Sequence, residues 1–222
     1  MKRIAIALLF VLIAVGAQAA TIFDLQNEMY AVGDIVDVTG VTVVAVRYNG
    51  VYVSEAPHAA YNGIWVYGPV DFVEGDIIDI IGGEFTEYYD LSEIIATDAV
   101  VTLTGTGPVP APTMIDAATL FADAEPYESC MVTVTDGMIV TELGSYGQWV
   151  AQTLDGLFVD FDDYFYDVST VLVGDCYNSV TAICDYSFSA YKLQPLVEGI
   201  ELTDCTVATD ELSFEAVKAL YR

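Results

Sequence analysis

The feature that most constrains this chain is that it repeats itself. Gly33-Asp34-Ile35-Val36-Asp37-Val38-Thr39 aligns with Ser129-Cys130-Met131-Val132-Thr133-Val134-Thr135, and Asn62-Gly63-Ile64-Trp65-Val66 aligns with Asp155-Gly156-Leu157-Phe158-Val159. Val73-Glu74-Gly75-Asp76 then matches Leu172-Val173-Gly174-Asp175, and the stretch 84–91 matches 186–193. Four matches in one order require two copies of a single unit. Each unit is built from short β-branched runs such as Ile77-Ile78-Asp79-Ile80-Ile81, closed off by turn pairs such as Asn49-Gly50, Asp136-Gly137 and Asp155-Gly156. Strands of that length with turns at that spacing predict an all-β barrel or sandwich.

Within each copy the order is strand, hairpin, strand, short turn, strand, irregular segment, strand, strand. That is the plan of a five-stranded OB-fold barrel. The expected architecture is therefore two tandem OB-fold-like barrels, over 24–104 and 113–205. A stiff Pro-rich linker, 105–112, joins them through Pro108, Pro110 and Pro112. Glu125-Pro126-Tyr127-Glu128, Gly156-Leu157-Phe158-Val159 and the run from Tyr186 to Pro195 resemble the tandem OB-fold modules of bacterial secreted nucleases. The resemblance covers roughly residues 24 to 203. Its motifs are structural ones, and the chain ends where the nuclease domain of those proteins would begin.

The first residues read as a secretory signal peptide, 1–19. Lys2 and Arg3 precede an apolar core from Ile4 to Val15, and Ala17-Gln18-Ala19 has the small-x-small pattern of a cleavage site. The apolar run is short for a permanent span of ~30 Å. The expected location is secreted, extracellular or periplasmic. The tail, 206–222, carries the clearest helical signal: Ser213 as N-cap, then Phe214, Val217, Leu220 and Tyr221 on one stripe. It is read as a short C-terminal helix docked on the second barrel or as a surface-attachment tag.

Charge sets the expectation for partners. The chain has 33 acidic and six basic residues. Loss of the leader leaves four basic ones, Arg47, Lys192, Lys218 and Arg222. Phosphate backbones are held by Lys and Arg, so direct nucleic-acid binding is expected to be disfavoured, and the ligand to be a protein or polysaccharide. The function expected on this basis is a secreted, non-catalytic binding or scaffolding protein. The alternatives are an accessory subunit of an extracellular nuclease system and a cation-dependent hydrolase.

No catalytic motif stands in the sequence: no G-x-S-x-G elbow, P-loop or H-E-x-x-H. His58, the only histidine, falls in a loop and reads as solvated. The densest carboxylate run, with Asp160, Asp162, Asp163 and Asp167, offers oxygen ligands suited to Ca²⁺ without matching an EF-hand loop. No other cofactor is expected. Tyr48, Tyr52, Trp65 and Tyr67 of copy one, and Trp149 and Phe158 of copy two, fall on the strands where OB folds stack rings, and are the candidate ligand-binding residues.

All four cysteines lie in or just after copy two, and an even count in an exported chain suggests disulfides. Cys176 and Cys184 share one expected strand and would lie ~26 Å apart, far beyond the ~7 Å that a bridge spans. The first and fourth strands of the barrel run antiparallel, which favours Cys130–Cys184 with Cys176–Cys205.

Overall fold

The protein is described by a computed structural model over residues 18–68 and 71–203. Two closed five-stranded barrels make up the chain, each with the strand order 1-2-3-5-4-1 of an OB fold. In the first, β2 (Ile35–Arg47), β3 (Gly50–Ser54) and β4 (Gly63–Tyr67) form a meander. It continues through β5 (Asp76–Tyr88) and β6 (Leu91–Ile95). β4 runs parallel to β6, and β5 closes back onto β2. A two-residue strand β1 (Gln18–Ala19) and β7 (Val100–Thr106) add to the edges.

The second barrel repeats this plan. Its first strand is split by Asp136-Gly137 into β9 (Met131–Val134) and β10 (Met138–Leu143). β11 (Trp149–Thr153), β12 (Phe158–Phe161), β13 (Cys176–Ser187) and β14 (Ala190–Thr203) follow. β12 is parallel to β14, and β13 pairs with both β9 and β10. β8 (Thr113–Ile115) lies beside β9.

A long strand can serve in a closed barrel only if it bends, and in the first barrel two glycines supply the bend. Gly40 in β2 and Gly82 in β5 have φ of +70° and +77°, values that side chains rarely adopt. Each freed backbone N–H is taken up by an aspartate across the sheet: Gly40 N donates to Asp79 Oδ1 and Gly82 N to Asp37 Oδ1, both at 2.8 Å. These two aspartates thus serve the bulges of the barrel, and part of the acidic excess is structural.

Each barrel encloses its own core. Val36, Val53, Ile64, Ile78, Phe85 and Ile94 fill the first. Trp149 stacks on Phe161 in the second, ring centroids 5.2 Å apart. Two short helices were not anticipated from the sequence. α1 (Ile22–Gln26) is capped by Thr21 and seals the first core with Ile22 and Leu25. α2 (Ala117–Ala122), capped by Asp116, buries Ala117 against the second. At five and six residues they are too short for helical periodicity to stand out.

The barrels also share a third cluster. Val44, Ala45, Tyr52 and Trp65 on the outer face of the first pack against Met131 and Ile183 of the second. Tyr52 OH donates to Asp185 Oδ1 at 2.7 Å, and Ser92 N donates to Glu128 Oε1 at 2.9 Å. The expected linker is not a free spacer: β7 runs into it, and Pro110 and Ala111 pack beside Val44 and Met131.

The cysteines correct one expectation. Cys130 and Cys184 lie side by side on neighbouring backbones, with Cys184 N donating to Cys130 O at 3.0 Å, but both are free, buried thiols. Cys130 Sγ is turned towards the carbonyls of Ala59 and Pro126, at 3.5 and 4.0 Å. Burial pushes its thiol up to about 11. Cys176 is not among the free thiols, and its expected partner Cys205 lies outside the described residues, as do the leader up to residue 17 and the C-terminal helix.

Candidate functional site

The largest concavity among the main cavities is a groove of about 880 Å³ where the two barrels meet. Barrel one contributes the β2–β3 turn, with Arg47, Tyr48 and Asn49, and the outward residues of β4 and β6, with Trp65, Tyr67, Glu93 and Ile95. Its β5–β6 hairpin adds Tyr88 and Tyr89. Barrel two contributes Tyr164 and the equivalent β13–β14 hairpin, with Tyr186, Ser187, Phe188 and Ser189. Strand alternation explains the inner wall: Ile64 and Val66 point into the barrel core, so Trp65 and Tyr67 point out.

The two hairpin tips are unusual in the same way. Tyr89-Asp90 and Phe188-Ser189 are two-residue turns with φ between +52° and +69° at all four positions. Such turns favour Asn and Gly, because side chains are disfavoured at positive φ. Here each places a large ring in that conformation, and leaves it exposed: Tyr89 79%, Phe188 85%. Local stability would be better served by smaller residues.

Among the described residues, Arg47 is the only cation lining the groove. Its guanidinium lies 3.4 Å from the centroid of the Tyr164 ring, and 5.4 and 5.8 Å from those of Trp65 and Tyr48. It joins rings of both barrels by cation–π contact. Two carboxyl groups also line the groove, and of these Asp185 interacts with Arg47. Asp185 is held at about 6 by burial, opposed by the hydrogen bond from Tyr52 and by the Arg47 and Lys192 charges. Glu93 is raised to about 6 by burial and then by Glu87.

Of the residues expected to bind ligand, Tyr48, Trp65 and Tyr67 line this groove. Tyr52 does not: it is completely buried in the barrel–barrel contact. Trp149 belongs to the second core. Phe158 lies on the far side of barrel two, beside α2, on the rim of a separate cavity of about 160 Å³. Sequence reasoning missed Tyr88, Tyr89, Tyr164, Tyr186 and Phe188. The signal that could have found them was bulky aromatic residues at matching hairpin positions of both copies.

The acidic run does not converge on a metal. Asp162 is buried and pairs with Lys192 Nζ at 3.6 Å. Asp167 caps the short turn at Ser169. Asp160 is exposed on β12, and Asp163 lies against Gly147. No group of three or more ligand-type side chains is poised for a metal among the described residues. Strand alternation and the Lys192 pair separate carboxylates that are adjacent in sequence. His58 is half-buried rather than solvated, with Nδ1 2.9 Å from Ser54 Oγ. This pair borders a cavity of only about 10 Å³, with space for no more than a water molecule.

No family model and no curated protein matches the chain. Solved structures do. One is titled as the crystal structure of the p204 HINb domain, at 13% identity and a TM-score of 0.35, covering 77% of this chain and 97% of that one. Another is titled as fission yeast Pot1 and ssDNA, at 13% identity and a TM-score of 0.36, covering 91% and 93%. The expectation of a protein or polysaccharide scaffold with nucleic acid disfavoured is corrected here. Net charge describes the whole surface and not the groove, whose charged lining among the described residues is one guanidinium and two carboxyl groups that burial pushes towards the neutral form.

Proposed function

We propose that this chain is a binding module for single-stranded nucleic acid, with bases stacked on the aromatic side chains of the inter-barrel groove. The N-terminal leader makes export from the cytoplasm part of the proposal. The observation that carries it is the pair of strained hairpin tips, one from each barrel, that hold Tyr89 and Phe188 exposed at one groove. OB folds use the strand 2–3 face and the loops after strands 1 and 4 for oligonucleotides. All three surfaces of barrel one line this groove. Stacking contributes about 1–3 kcal/mol per base without sequence preference.

The electrostatics then have an unusual sign. Ordinary binders lose affinity with salt because they release counterions from phosphates. This groove offers one guanidinium, while the chain carries a net charge of −27. Salt and divalent cations screen that repulsion, so affinity should rise from low to moderate ionic strength and rise again with Mg²⁺. Fluorescence anisotropy of a labelled oligonucleotide, titrated with the full chain across salt and Mg²⁺, tests this. Absence of binding at every salt, or a steep fall in affinity with salt, refutes the proposal.

A further inference from the structure

Glu93 has no assigned task in the fold. It sits at the middle of β6, in register with Trp65 on one side and Thr86 on the other, and lines the groove. It is only 6% exposed, yet its carboxyl makes no hydrogen bond among the described residues. The comparable groups nearby are all engaged: Asp185 takes the Tyr52 hydroxyl, Glu128 the Ser92 amide, and Glu87 the Ser92 hydroxyl. Buried polar groups are normally given a partner by the protein; this one has none and lines the groove, where a donor can reach it.

We infer that Glu93 reads the edge of a base, and that the groove selects bases bearing an exocyclic amino group over thymine or uracil. This rests on the nucleic-acid reading above. A carboxylate accepts and does not donate, so it matches the N4 amino group of cytosine. When protonated it adds an O–H donor for the ring nitrogen beside that amino group, so cytosine satisfies it in either state. Thymine presents O4 where cytosine presents the amino group, which sets acceptor against acceptor when Glu93 is ionised, as at neutral pH; a protonated carboxyl can donate to O4, so the selection belongs to the ionised form. Trp65, in the neighbouring register position, is itself buried, so the stacking faces beside Glu93 are the exposed rings of Tyr67 and Tyr88 that line the same groove.

The test compares labelled oligo-dC and oligo-dT of about eight nucleotides, binding to the full chain at neutral pH in Mg²⁺. Both are pyrimidines, so the amino group is the main difference. Oligo-dC should bind about tenfold more tightly than oligo-dT. Glu93→Gln, which can both donate and accept, should strengthen oligo-dT and reduce the ratio to about threefold or less. Equal affinity of the two oligonucleotides for the unaltered chain overturns this inference while leaving the nucleic-acid reading intact. A preference for oligo-dC that survives in Glu93→Gln also overturns it. Failure of both to bind overturns the reading and the inference together.

Discussion

Glu128 should make the contact between the barrels sensitive to alkali. It is 1% exposed, and accepts from Ser92 N through Oε1 while Oε2 has no partner. Burial raises it to about 8, and the charges of Glu125, Glu87 and Asp185 act in the same direction. In the unfolded chain a glutamate titrates near ~4.3. Between those two values the folded protein holds a proton that the unfolded chain has released, so stability falls as pH rises. The slope is about 1.4 kcal/mol per pH unit, and ionisation with the interface closed costs on the order of 5 kcal/mol. Glu128→Gln keeps an acceptor for Ser92 N and cannot ionise. Denaturant unfolding of both proteins from pH 5 to 9 should show the variant ahead by about 1 kcal/mol at pH 5, gaining steadily until pH 8, and level beyond. Other raised carboxyls, Glu87, Glu93 and Asp185, are present in both proteins and largely cancel in the difference. Curves that stay parallel from pH 5 to 9 would show that Glu128 is already ionised in the folded protein, and the argument from burial would be wrong.

Replacing Tyr89-Asp90 with Asn-Gly should raise stability by about 1 kcal/mol, because both positions have positive φ, and should weaken oligonucleotide binding several-fold; calorimetry and anisotropy read the two effects. Phe188→Ala, at an exposed tip, should change stability by less than about 0.5 kcal/mol and cost about 1–3 kcal/mol of binding if its ring stacks a base. Gly63→Ala places a methyl group against the backbone of Ser129 and Cys130 across the interface, and should destabilise by about 1–3 kcal/mol, visible as a lowered unfolding midpoint. Tyr52→Phe leaves the Asp185 carboxyl buried without its donor and should cost about 1–3 kcal/mol, more at pH 8 than at pH 5, since the lost bond favours the ionised carboxyl; equal losses at both pH values would contradict that role.

The repeat and the strand pattern were enough to determine two OB-like barrels. Each barrel's core is local to one copy, and alternation along β4 separates Ile64 and Val66 from Trp65 and Tyr67 without reference to anything else. What alternation cannot say is what covers an outward residue. Tyr52 and Trp65 occupy equivalent outward positions, paired across β3 and β4. Barrel two covers both, burying the Tyr52 hydroxyl against Asp185, 133 residues away, and leaving only a small part of Trp65 to line the groove. The docking of the barrels decided this, and docking depends on the fit of two complete surfaces. The same holds for the acidic run: Asp160, Asp162, Asp163 and Asp167 are close in sequence, but Lys192, from β14, draws Asp162 inward and away from the others. The groove is a product of both copies, lined by Tyr164 and Phe188 from one and Tyr48 and Tyr89 from the other. Either copy read by itself contains only half of it.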